Sequence, residues 1–277
     1  MSVRITTLAI HPVKSTAIRR VQQAHVGTAG FVGDREWMVV DSDGDLVSAR
    51  EERGLFTICA DTQATGASGV DLRLSAAGHP DLNVARPAAG SRHVRMFRKK
   101  NLQGRPAGAE ADAWVRGVLG RDDVSLVWCH DPQARRLSAG RDGDHAAFQD
   151  SCPVTVLSAA SVRQVHDWSA DAALERGEEP STITADRFRP NILVEGCAPF
   201  AEDDWQRLRI GDVVLRRAKL ASRCVMTTID PADLSGGKDP LRALARHRRR
   251  DGATWCAVHY IPETTGPIAV GDEIEVL

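Results

Sequence analysis

The sequence predicts a β-rich α+β protein with few helices. Short segments of β-branched or alternating apolar residues recur along the 277-residue chain, separated by turn residues such as Gly, Asp and Asn. Amphipathic helical patterns with recognisable caps are much rarer. Many short strands of this kind favour a barrel or a sandwich as the architecture.

Strand patterns begin near the N-terminus and continue to the last residues. Asp43–Gly44 form the tip of a predicted hairpin in DSDGDL, and Gly211–Asp212 join the two strands of LRIGDVVLRR. The predicted strand segments are VRITTLAI, EWMVVD, LFTICADT, VDLRLSA, HVRMF, VSLVWC, VTVLSA, NILVEG, LRIGDVVLRR, CAVHYI and DEIEVL.

Helix signals are confined to a few segments. Residues 110–120 (EADAWVRGVLG) end at a glycine that suits a helix cap, and Ser158 is a suitable N-cap for the segment SAASVRQVHDWSA. In KDPLRALARHRRRDG, Asp239 is the predicted N-cap and Pro240 the first helical residue, with Gly252 beyond the end.

A stretch rich in Gly, Pro and Arg, residues 98–110, is predicted to be an irregular connection. We expect a domain boundary after it, near residue 120. The chain would then consist of an N-terminal domain over 1–120 and a second domain over 121–277.

The composition excludes several classes of protein. The formal net charge of −1 gives no bulk attraction to nucleic acid or to anionic lipid. The N-terminus lacks the apolar core of a signal peptide, and no apolar run approaches the ~20 residues of a membrane span. We therefore expect a cytoplasmic protein that binds neither membranes nor nucleic acid. The basic run RHRRR (246–250) ends a predicted helix, where cations interact favourably with the helix dipole.

The 6 cysteines are widely spaced, and no C-x-x-C motif occurs. The usual spacings of zinc-ribbon and iron–sulfur sites are therefore absent, and we expect no iron–sulfur cluster in this chain. Without a secretion signal we expect free thiols, five of them acting as small buried hydrophobes. The sequence also lacks G-x-S-x-G, H-E-x-x-H and P-loop motifs.

Cys224 differs from the other cysteines, because it lies where a strand pattern ends in the polar segment ASRCVMTTIDP. Arg223 precedes it, and Thr227, Thr228 and Asp230 follow. A neighbouring guanidinium lowers the pKa of a thiol, and the thiolate is the form that binds metals or attacks electrophiles. For this residue alone, a buried inert thiol is an equally good interpretation. A single cysteine cannot hold a metal ion, so other ligands would have to come from elsewhere, for example from a cofactor.

Basic or amide side chains also occur at several other strand ends. Such groups bind phosphate through charge-assisted hydrogen bonds. For any one of them a solvated surface charge is the better explanation, but the whole set, together with the Arg–Cys pair, favours an anion-binding site. The residues are Lys14, Ser15, Arg35, Arg187, Arg189 and Asn191.

Nearly the whole chain is covered, in order, by the segments HPVKS, GDREWMVVDSDGDLVSARE, DRFRPNILVEGCAPFAEDDW, IGDVVL, SRCVMTTIDP, KDPLRAL and GPIAVGDEIEV. Together they resemble the MOSC (molybdenum cofactor sulfurase C-terminal) domain proteins. The nearest pattern is that of the amidoxime-reducing components and their bacterial counterparts. The resemblance implies a MOSC β-barrel preceded by a smaller β-rich N-terminal domain.

The resemblance also implies a bound molybdenum cofactor, Mo-molybdopterin. Cys224 would supply the protein sulfur to the metal, whose other ligands would be the pterin dithiolene and oxo groups. Ser222 and Arg223 would cradle the cofactor, and His259 would line the site. The residues expected at the pterin and its phosphate are Lys14, Ser15, Arg35, Asp150, Ser151, Arg187, Arg189 and Asn191.

The implied activity is that of an oxidoreductase acting on N-hydroxylated substrates such as amidoximes, hydroxamic acids and N-hydroxylated bases. Neither a membrane anchor nor a ferredoxin domain is recognised, so we expect a separate ferredoxin- or flavoprotein-type protein to supply the electrons. Two positions depart from the family pattern: His11 replaces a tyrosine, and Ala221 replaces a second cysteine.

Two other functions would use the same residues. A non-catalytic cofactor carrier or sulfur-transfer protein would hold a persulfide on Cys224 or pass on the pterin. A cofactor-free β-barrel module would bind a small anion without any metal. Turnover with an artificial electron donor separates the reductase from the carrier, and metal content separates both from the anion-binding module.

Overall fold

The computed structural model describes residues 2–97 and 99–277, which divide into two units. The barrel unit contains the chain up to Ala9, Gln22–Gly27 and Val154–Leu277. The second unit contains Ile10–Val21 and Thr28–Pro153. Strands dominate the described residues and helices are few, which confirms the predicted fold class.

The regular elements are short. In chain order the strands are β1 (Val3–Ile10), β2 (Arg19–Val21), β3 (Gln23–Gly27), β4 (Gly30–Phe31), β5 (Trp37–Val40), β6 (Cys59–Asp61), β7 (Leu72–Ala76), β8 (His79–Val84), β9 (Arg92–Met96), β10 (Lys99–Pro106), β11 (Ser125–Trp128), β12 (Val154–Ser158), β13 (Ile192–Glu195), β14 (Arg207–Ile210), β15 (Val213–Ser222), β16 (Arg249–Arg250), β17 (Ala253–Pro262), β18 (Gly266–Ala269) and β19 (Glu273–Val276). The α-helices are α1 (Ala109–Leu119), α2 (Ala159–Leu174) and α3 (Leu241–Arg248). Short 3₁₀ helices span Arg53–Thr57, Gln63–Thr65, Pro132–Ala134, Ala185–Phe188, Ala201–Asp204 and Val225–Thr228. Across the described chain, no helix has both the length and the apolar composition that a membrane crossing requires.

The barrel unit is built on a closed sheet of 7 strands. Neighbours follow the order β12-β13-β1-β19-β14-β15-β17, and β17 returns to pair with β12. β12 and β13 run parallel, whereas the other neighbours are antiparallel. The pairing of β15 with β17 extends from Leu215 opposite Pro262 to Ser222 opposite Trp255.

Alternation along the barrel strands separates buried from exposed side chains. In β14, Leu208 and Ile210 are fully buried, while Arg207 and Arg209, which alternate with them, are exposed. This is the period-2 pattern of a strand that covers a core on one face. Tyr260 of β17 is also fully buried, and its hydroxyl donates to the carbonyl oxygen of Trp205 at 3.0 Å.

Helices α2 and α3 pack together in the barrel unit. The N-terminus of α2 is capped by the Ser158 side chain, which accepts a hydrogen bond from the backbone N–H of Ser161 at 3.0 Å. Trp168 of α2 stacks on His247 of α3, with ring centroids 4.2 Å apart. Val165, Leu244 and other apolar side chains form a shared buried cluster.

The second unit contains two antiparallel sheets, ordered β5-β11-β10-β9 and β6-β7-β8. Its core includes Met38, Val94, Val127 and Phe148, all at most 1% exposed. Trp114 of α1 donates its indole N–H to the carbonyl oxygen of Pro80 at 2.6 Å, which ties the helix to the segment that forms β8.

Several sequence predictions are confirmed. Helix α1 ends at Gly120, which has the left-handed backbone of a C-cap, and Ser158 caps α2. Both predicted hairpins form: Val40 pairs with Leu46 across the first turn, and β14 turns into β15 at residues 211–212.

The prediction for residues 98–110 is wrong. Lys99–Pro106 form β10, and α1 begins at Ala109. β10 pairs with β9 on one side and β11 on the other, so tertiary pairing overrides the Gly, Pro and Arg content of the segment. Arg98, the first residue of this prediction, lies outside the described residues.

Helix α3 also differs from its prediction. It begins at Leu241 with Pro240 rather than Asp239 as the N-cap, and it ends at Arg248. Arg249–Arg250 form β16 instead of a further helical turn. The helix dipole therefore accounts for only part of the basic run. Gly252 comes after β16 and not directly after the helix, as the prediction had it.

Other errors concern short strands. In the segment LFTICADT, Arg53–Thr57 form a 3₁₀ helix and only Cys59–Asp61 form a strand. The apolar run of this segment reflects the burial of Leu55 and Phe56. Burial alone does not distinguish a strand from a helical turn, so the run did not identify the element. β8 and β18 escaped prediction because HPDLNV and GPIA lack a clear apolar alternation.

Gly196 follows β13 with φ +87°, and a Cβ atom there would lie 2.3 Å from the carbonyl oxygen of Ser2. Gly196→Ala should lower the free energy of unfolding by about 2–4 kcal/mol, because the backbone beside it must move. Gly211→Ala is the matched control: Gly211 has φ +54°, but no atom lies within 4 Å of its Cβ position. It should cost about 1–2 kcal/mol. Urea unfolding compares the two variants, and equal losses would contradict the importance of the close approach.

Candidate functional site

Cys224 lies where β15 leaves the barrel. β15 ends at Ser222, and Cys224 forms the N-cap of the 3₁₀ helix Val225–Thr228. The Thr227 hydroxyl donates to the carbonyl oxygen of Cys224 at 2.9 Å, and the Thr228 hydroxyl donates to that of Val225 at 2.7 Å. These bonds hold the turn in one conformation. The thiol is partly exposed, so a ligand could reach it.

The other cysteines have different environments. Cys129, Cys152 and Cys256 are buried, and burial raises the pKa of the Cys129 and Cys256 thiols to about 12. Cys59 and Cys197 are partly exposed, which corrects the expectation that all five other cysteines are buried. Burial nevertheless raises the pKa of both thiols, which disfavours their thiolates.

Arg223 is held by both its backbone and its side chain. Its N–H donates to the carbonyl oxygen of Thr254 in β17 at 2.8 Å. Its guanidinium donates to the carbonyl oxygen of Phe188 and lies over the Phe188 ring, 5.3 Å from the centroid. These contacts fix a positive charge on the residue that precedes Cys224.

Arg187 is 7% exposed and bonds to the far end of the same turn. Its guanidinium donates to the carbonyl oxygen of Thr228 at 3.3 Å and to the carboxylate of Asp230 at 2.8 Å. It therefore braces the turn that carries Cys224. Among the described residues its buried Nε has no hydrogen-bond partner.

Asn191 and His259 are linked through Thr155. The Asn191 side-chain oxygen accepts from the backbone N–H of Thr155 at 3.1 Å, and its amide donates to the carbonyl oxygen of Ala9 at 3.2 Å. The Thr155 hydroxyl lies 3.1 Å from Nδ1 of His259. Asn191 is 1% exposed and directly precedes β13. Its two hydrogen bonds therefore connect β13 to β1 and β12.

His259 lies in β17. β18 and β19 follow it, so two further strands separate His259 from the end of the chain. Ser222 is exposed at the end of β15, and Ser151 is partly buried just before the start of the barrel unit.

In the second unit, Lys14 lies in a buried cluster of charges. Its ammonium donates to the carbonyl oxygen of Phe148 at 2.8 Å and to the carboxylate of Asp150. Burial lowers the pKa of Lys14 to about 8 against the attraction of Asp150, and the positive charges of Arg35 and Arg135 lower it further. The Asp150 side chain is 47% exposed, so its burial is only partial and opposes ionisation weakly, and Lys14, Arg50 and Arg35 hold its pKa below the usual range.

The Lys14 cluster comprises Lys14, Arg35, Arg50, Arg135 and the carboxylates of Asp34 and Asp150. Four basic groups and two carboxylates give it a net charge of +2. The Nε atoms of Arg50 and Arg135 are buried and make no hydrogen bond to any described residue. The cluster therefore retains both the charge and the donor groups that an anion requires.

Asp34 orients Arg35. One carboxylate oxygen accepts from Arg35 at 2.6 Å, and the other lies 3.1 Å from Nδ1 of His11 and accepts the His11 backbone N–H at 2.9 Å. Burial opposes ionisation of Asp34, but Arg35 and His11 hold its pKa well below the usual range. His11, which departs from the family pattern, thus helps to fix a predicted site residue.

Three of the predicted site residues have positive φ angles although none is glycine: Ser15 (+70°), Arg35 (+52°) and Arg189 (+52°). This conformation is uncommon for residues with a side chain, and it concentrates at functional sites. All three also lie at turns between regular elements. Five other described non-glycine residues outside the predicted site also have positive φ angles, so this conformation alone does not single out site residues.

Sequence reasoning missed several residues of these two groups. Asp230, Asp34 and Arg50 stand in segments that carried the family resemblance, so their positions gave a signal that was not used. Arg135 and Thr155 lie far from those segments in sequence, and only the fold brings them to Asp150 and His259.

Comparison with known proteins gives consistent matches. The family model described as "MOSC N-terminal beta barrel domain" matches residues 2–122, and the family model described as "MOSC domain" matches residues 143–275. The chain is 32% identical over 297 residues to mitochondrial amidoxime-reducing component 1 from Mus musculus, covering 99% of this chain and 82% of that protein. It is 30% identical over 293 residues to the Homo sapiens component 1, with coverage of 99% and 82%. Mitochondrial amidoxime reducing component 2 from Bos taurus is 29% identical over 290 residues, with coverage of 98% and 82%.

The lowered pKa of Lys14 predicts a pH-dependent stability. Between about pH 8 and pH 10.4 the unfolded chain keeps the lysine proton and the folded chain loses it. The contribution of Lys14 to the free energy of unfolding therefore rises with pH in this window. Relative to Lys14→Met, wild type should gain stability from pH 8 to pH 10, by at most about 1.4 kcal/mol per pH unit.

Urea unfolding at a series of pH values measures this gain. Lys219→Met is the matched control, because Lys219 is an exposed lysine of the barrel unit. Its stability difference from wild type should stay constant over the same range. A constant difference for Lys14→Met as well would contradict the effect of burial on the Lys14 pKa.

Proposed function

The chain belongs to the family of MOSC-domain proteins, and from this premise we propose that it is a molybdenum-cofactor-dependent oxidoreductase that reduces N-hydroxylated compounds. The observation that carries the proposal is the position of Cys224, a partly exposed thiol on a braced turn beside Arg223. The names of the relatives, amidoxime-reducing components, support N-reduction as the reaction. The proposed substrates are amidoximes, hydroxamic acids and N-hydroxylated bases.

The residues present fit the cofactor. Cys224 offers a single sulfur donor, which suits a metal that already carries dithiolene and oxo ligands. The Lys14 cluster has a net charge of +2 and unused donors on Arg50 and Arg135, which suit a phosphate group. When bound, the cofactor supplies the metal centre at which the N–O bond is reduced with two electrons and two protons to give amine and water.

In the barrel unit we assign Cys224 as the metal ligand. Arg223 places a fixed positive charge next to it, which stabilises negative charge on sulfur and on oxygen. Arg187 holds the turn through Thr228 and Asp230. Ser222, Arg189, Asn191 and His259 complete the proposed contacts of this unit with the cofactor.

In the second unit we assign Lys14 and Arg35 to the pterin phosphate. Ser15 would contribute its hydroxyl and backbone from a positive-φ turn. Asp150 keeps Lys14 in place, and Ser151 follows it in the same loop. Lys14 itself is only 4% exposed, which limits competition from water and strengthens its charge-assisted hydrogen bonds.

Several features of the proposal concern the whole protein. Electrons would come from a separate ferredoxin- or flavoprotein-type protein, and neither nucleic acid nor membrane is a proposed partner. We propose a cytoplasmic location, although the animal relatives are named as mitochondrial proteins. The division into domains over 1–120 and 121–277 also remains a proposal, and the two family matches support a division in that part of the chain.

Cys224→Ser tests the assignment directly. The variant should fold like wild type but lose at least about 100-fold in reduction of N-hydroxylated compounds driven by an artificial donor, because the hydroxyl is a poor substitute for a soft thiolate ligand. Molybdenum analysis and pterin fluorescence, on protein from a host that makes the cofactor, report metal and cofactor content independently of turnover.

Cys197→Ser is the matched control, since Cys197 is another partly exposed free thiol. It should keep wild-type metal content and activity. Full activity of Cys224→Ser would refute the ligand assignment. Wild-type protein that carries cofactor but reduces no N-hydroxylated compound would instead support a cofactor carrier.

A further inference from the structure

The basic run at residues 246–250 is not explained by the proposed cofactor site. In α3 only Arg246, His247 and Arg248 occupy the last turn, where the helix dipole favours positive charge. Arg249–Arg250 lie beyond the helix in β16 and are exposed. Two exposed arginines on a two-residue strand require another reason.

Strand pairing brings these arginines to the cysteine turn. Thr254 of β17 accepts a hydrogen bond from the backbone N–H of Arg223 on one side and pairs with Arg249 on the other. Adjacent strands lie about 4.8 Å apart, so the backbones of Arg249 and Arg223 are separated by about 10 Å. Arg223 is bonded directly to Cys224. The basic hairpin, defined here as residues 249–255, thus borders the proposed metal ligand.

The basic hairpin also carries an aromatic side chain. Trp255 is partly exposed, stands opposite Ser222, and donates its indole N–H to the carbonyl oxygen of Arg250 at 3.0 Å. This bond ties the tryptophan to the arginine strand. Exposed Arg and Trp in one patch match the composition of binding hot spots in protein interfaces.

The hairpin carries two exposed arginines and one exposed carboxylate, that of Asp251, so it keeps a net positive charge. Among the described residues Arg249 has no ion-pair partner, and Arg250 approaches Asp203 only at 3.9 Å. Asp203 is already held by Arg248, whose side chain is largely buried. Arg246 pairs with Glu175, but both side chains are more than half exposed, so solvent screens this pair. An external acidic surface would find available positive charge here.

We propose that the basic hairpin, with Arg246 beside it, is the docking surface for a small acidic electron-transfer protein. This inference rests on the proposed function: each turnover breaks one N–O bond, takes up two protons and requires two electrons, which two one-electron donors such as reduced ferredoxins lose in succession. Docking within about 10 Å of the backbone next to Cys224 brings the donor to the proposed metal ligand. An acidic ferredoxin or flavodoxin has the charge that complements this surface.

The test measures binding of the full chain to a purified acidic [2Fe–2S] ferredoxin by calorimetry, at low and at high ionic strength. The variant Arg249→Glu/Arg250→Glu should raise Kd at low salt by about tenfold or more and flatten its salt dependence. Reduced viologen should drive turnover of wild type and variant equally, because the two arginines lie outside the proposed catalytic groups.

The matched control is Arg4→Glu/Arg209→Glu, which changes the net charge equally. Both arginines are about half exposed, and each pairs with an exposed glutamate of β19. In the strand register, Arg209 of β14 stands opposite Val214 of β15. Val214 lies about 25 Å along β15 from Ser222, which is the end beside the basic hairpin. Ferredoxin affinity should stay within about twofold of wild type, since steering by the net charge alone is weak at this distance.

Each outcome has one meaning. Equal weakening by both double variants, or no ferredoxin binding by wild type at low salt, would overturn the docking surface. The docking surface would also be overturned if a short double-stranded DNA, or phosphatidylserine vesicles, bound through the hairpin while ferredoxin binding did not depend on the hairpin. If ferredoxin binding follows the prediction but viologen drives no reduction of N-hydroxylated compounds, the proposed function fails and the surface assignment stands.

Discussion

The antiparallel pairing of β15 with β17 is the constraint on which the chemistry of the barrel unit depends. It brings Ser222 opposite Trp255, and one further backbone bond joins Arg223 to Thr254. Cys224 therefore leaves the sheet at a defined point instead of on a free loop. The opposite edge of β17 carries β16, so one strand places both the cysteine turn and the arginine pair.

The second unit depends on a different interaction, the burial of charge. Lys14 keeps its ammonium next to Asp150, and Arg35 is held by Asp34. Removing Arg35 would leave the fully buried Asp34 carboxylate without its ion-pair partner, and breaking buried pairs costs about 3–5 kcal/mol. The Lys14 cluster has more basic groups than carboxylates, so part of its positive charge is not neutralised by the carboxylates of the cluster. A bound phosphate would neutralise this charge, so the stability of the unit and its proposed function depend on the same residues.

Local signals in the sequence were sufficient for much of the fold. Ser158 caps α2 because its side chain accepts a hydrogen bond from the helix N-terminus, a property of the residue and its immediate neighbours. The left-handed Gly120 ends α1 for an equally local reason. Predictions failed where partners distant in sequence decide the structure: β10 exists because β9 and β11 flank it, and Arg249–Arg250 leave the helix because β17 offers a hydrogen-bonding edge.

The candidate site divides in the same way. The sequence by itself determined which residue types stand next to one another. It identified the Arg223–Cys224 pair as chemically unusual and showed that Lys14 and Ser15 follow a strand pattern. Only the tertiary structure decided that Asp150 meets Lys14, that Thr155 meets His259, and that Arg249 borders the cysteine turn. The physical reason is that charge interactions and strand pairing act through space. Thr155 and His259 are 104 positions apart in the chain, yet their side chains lie 3.1 Å apart in the fold.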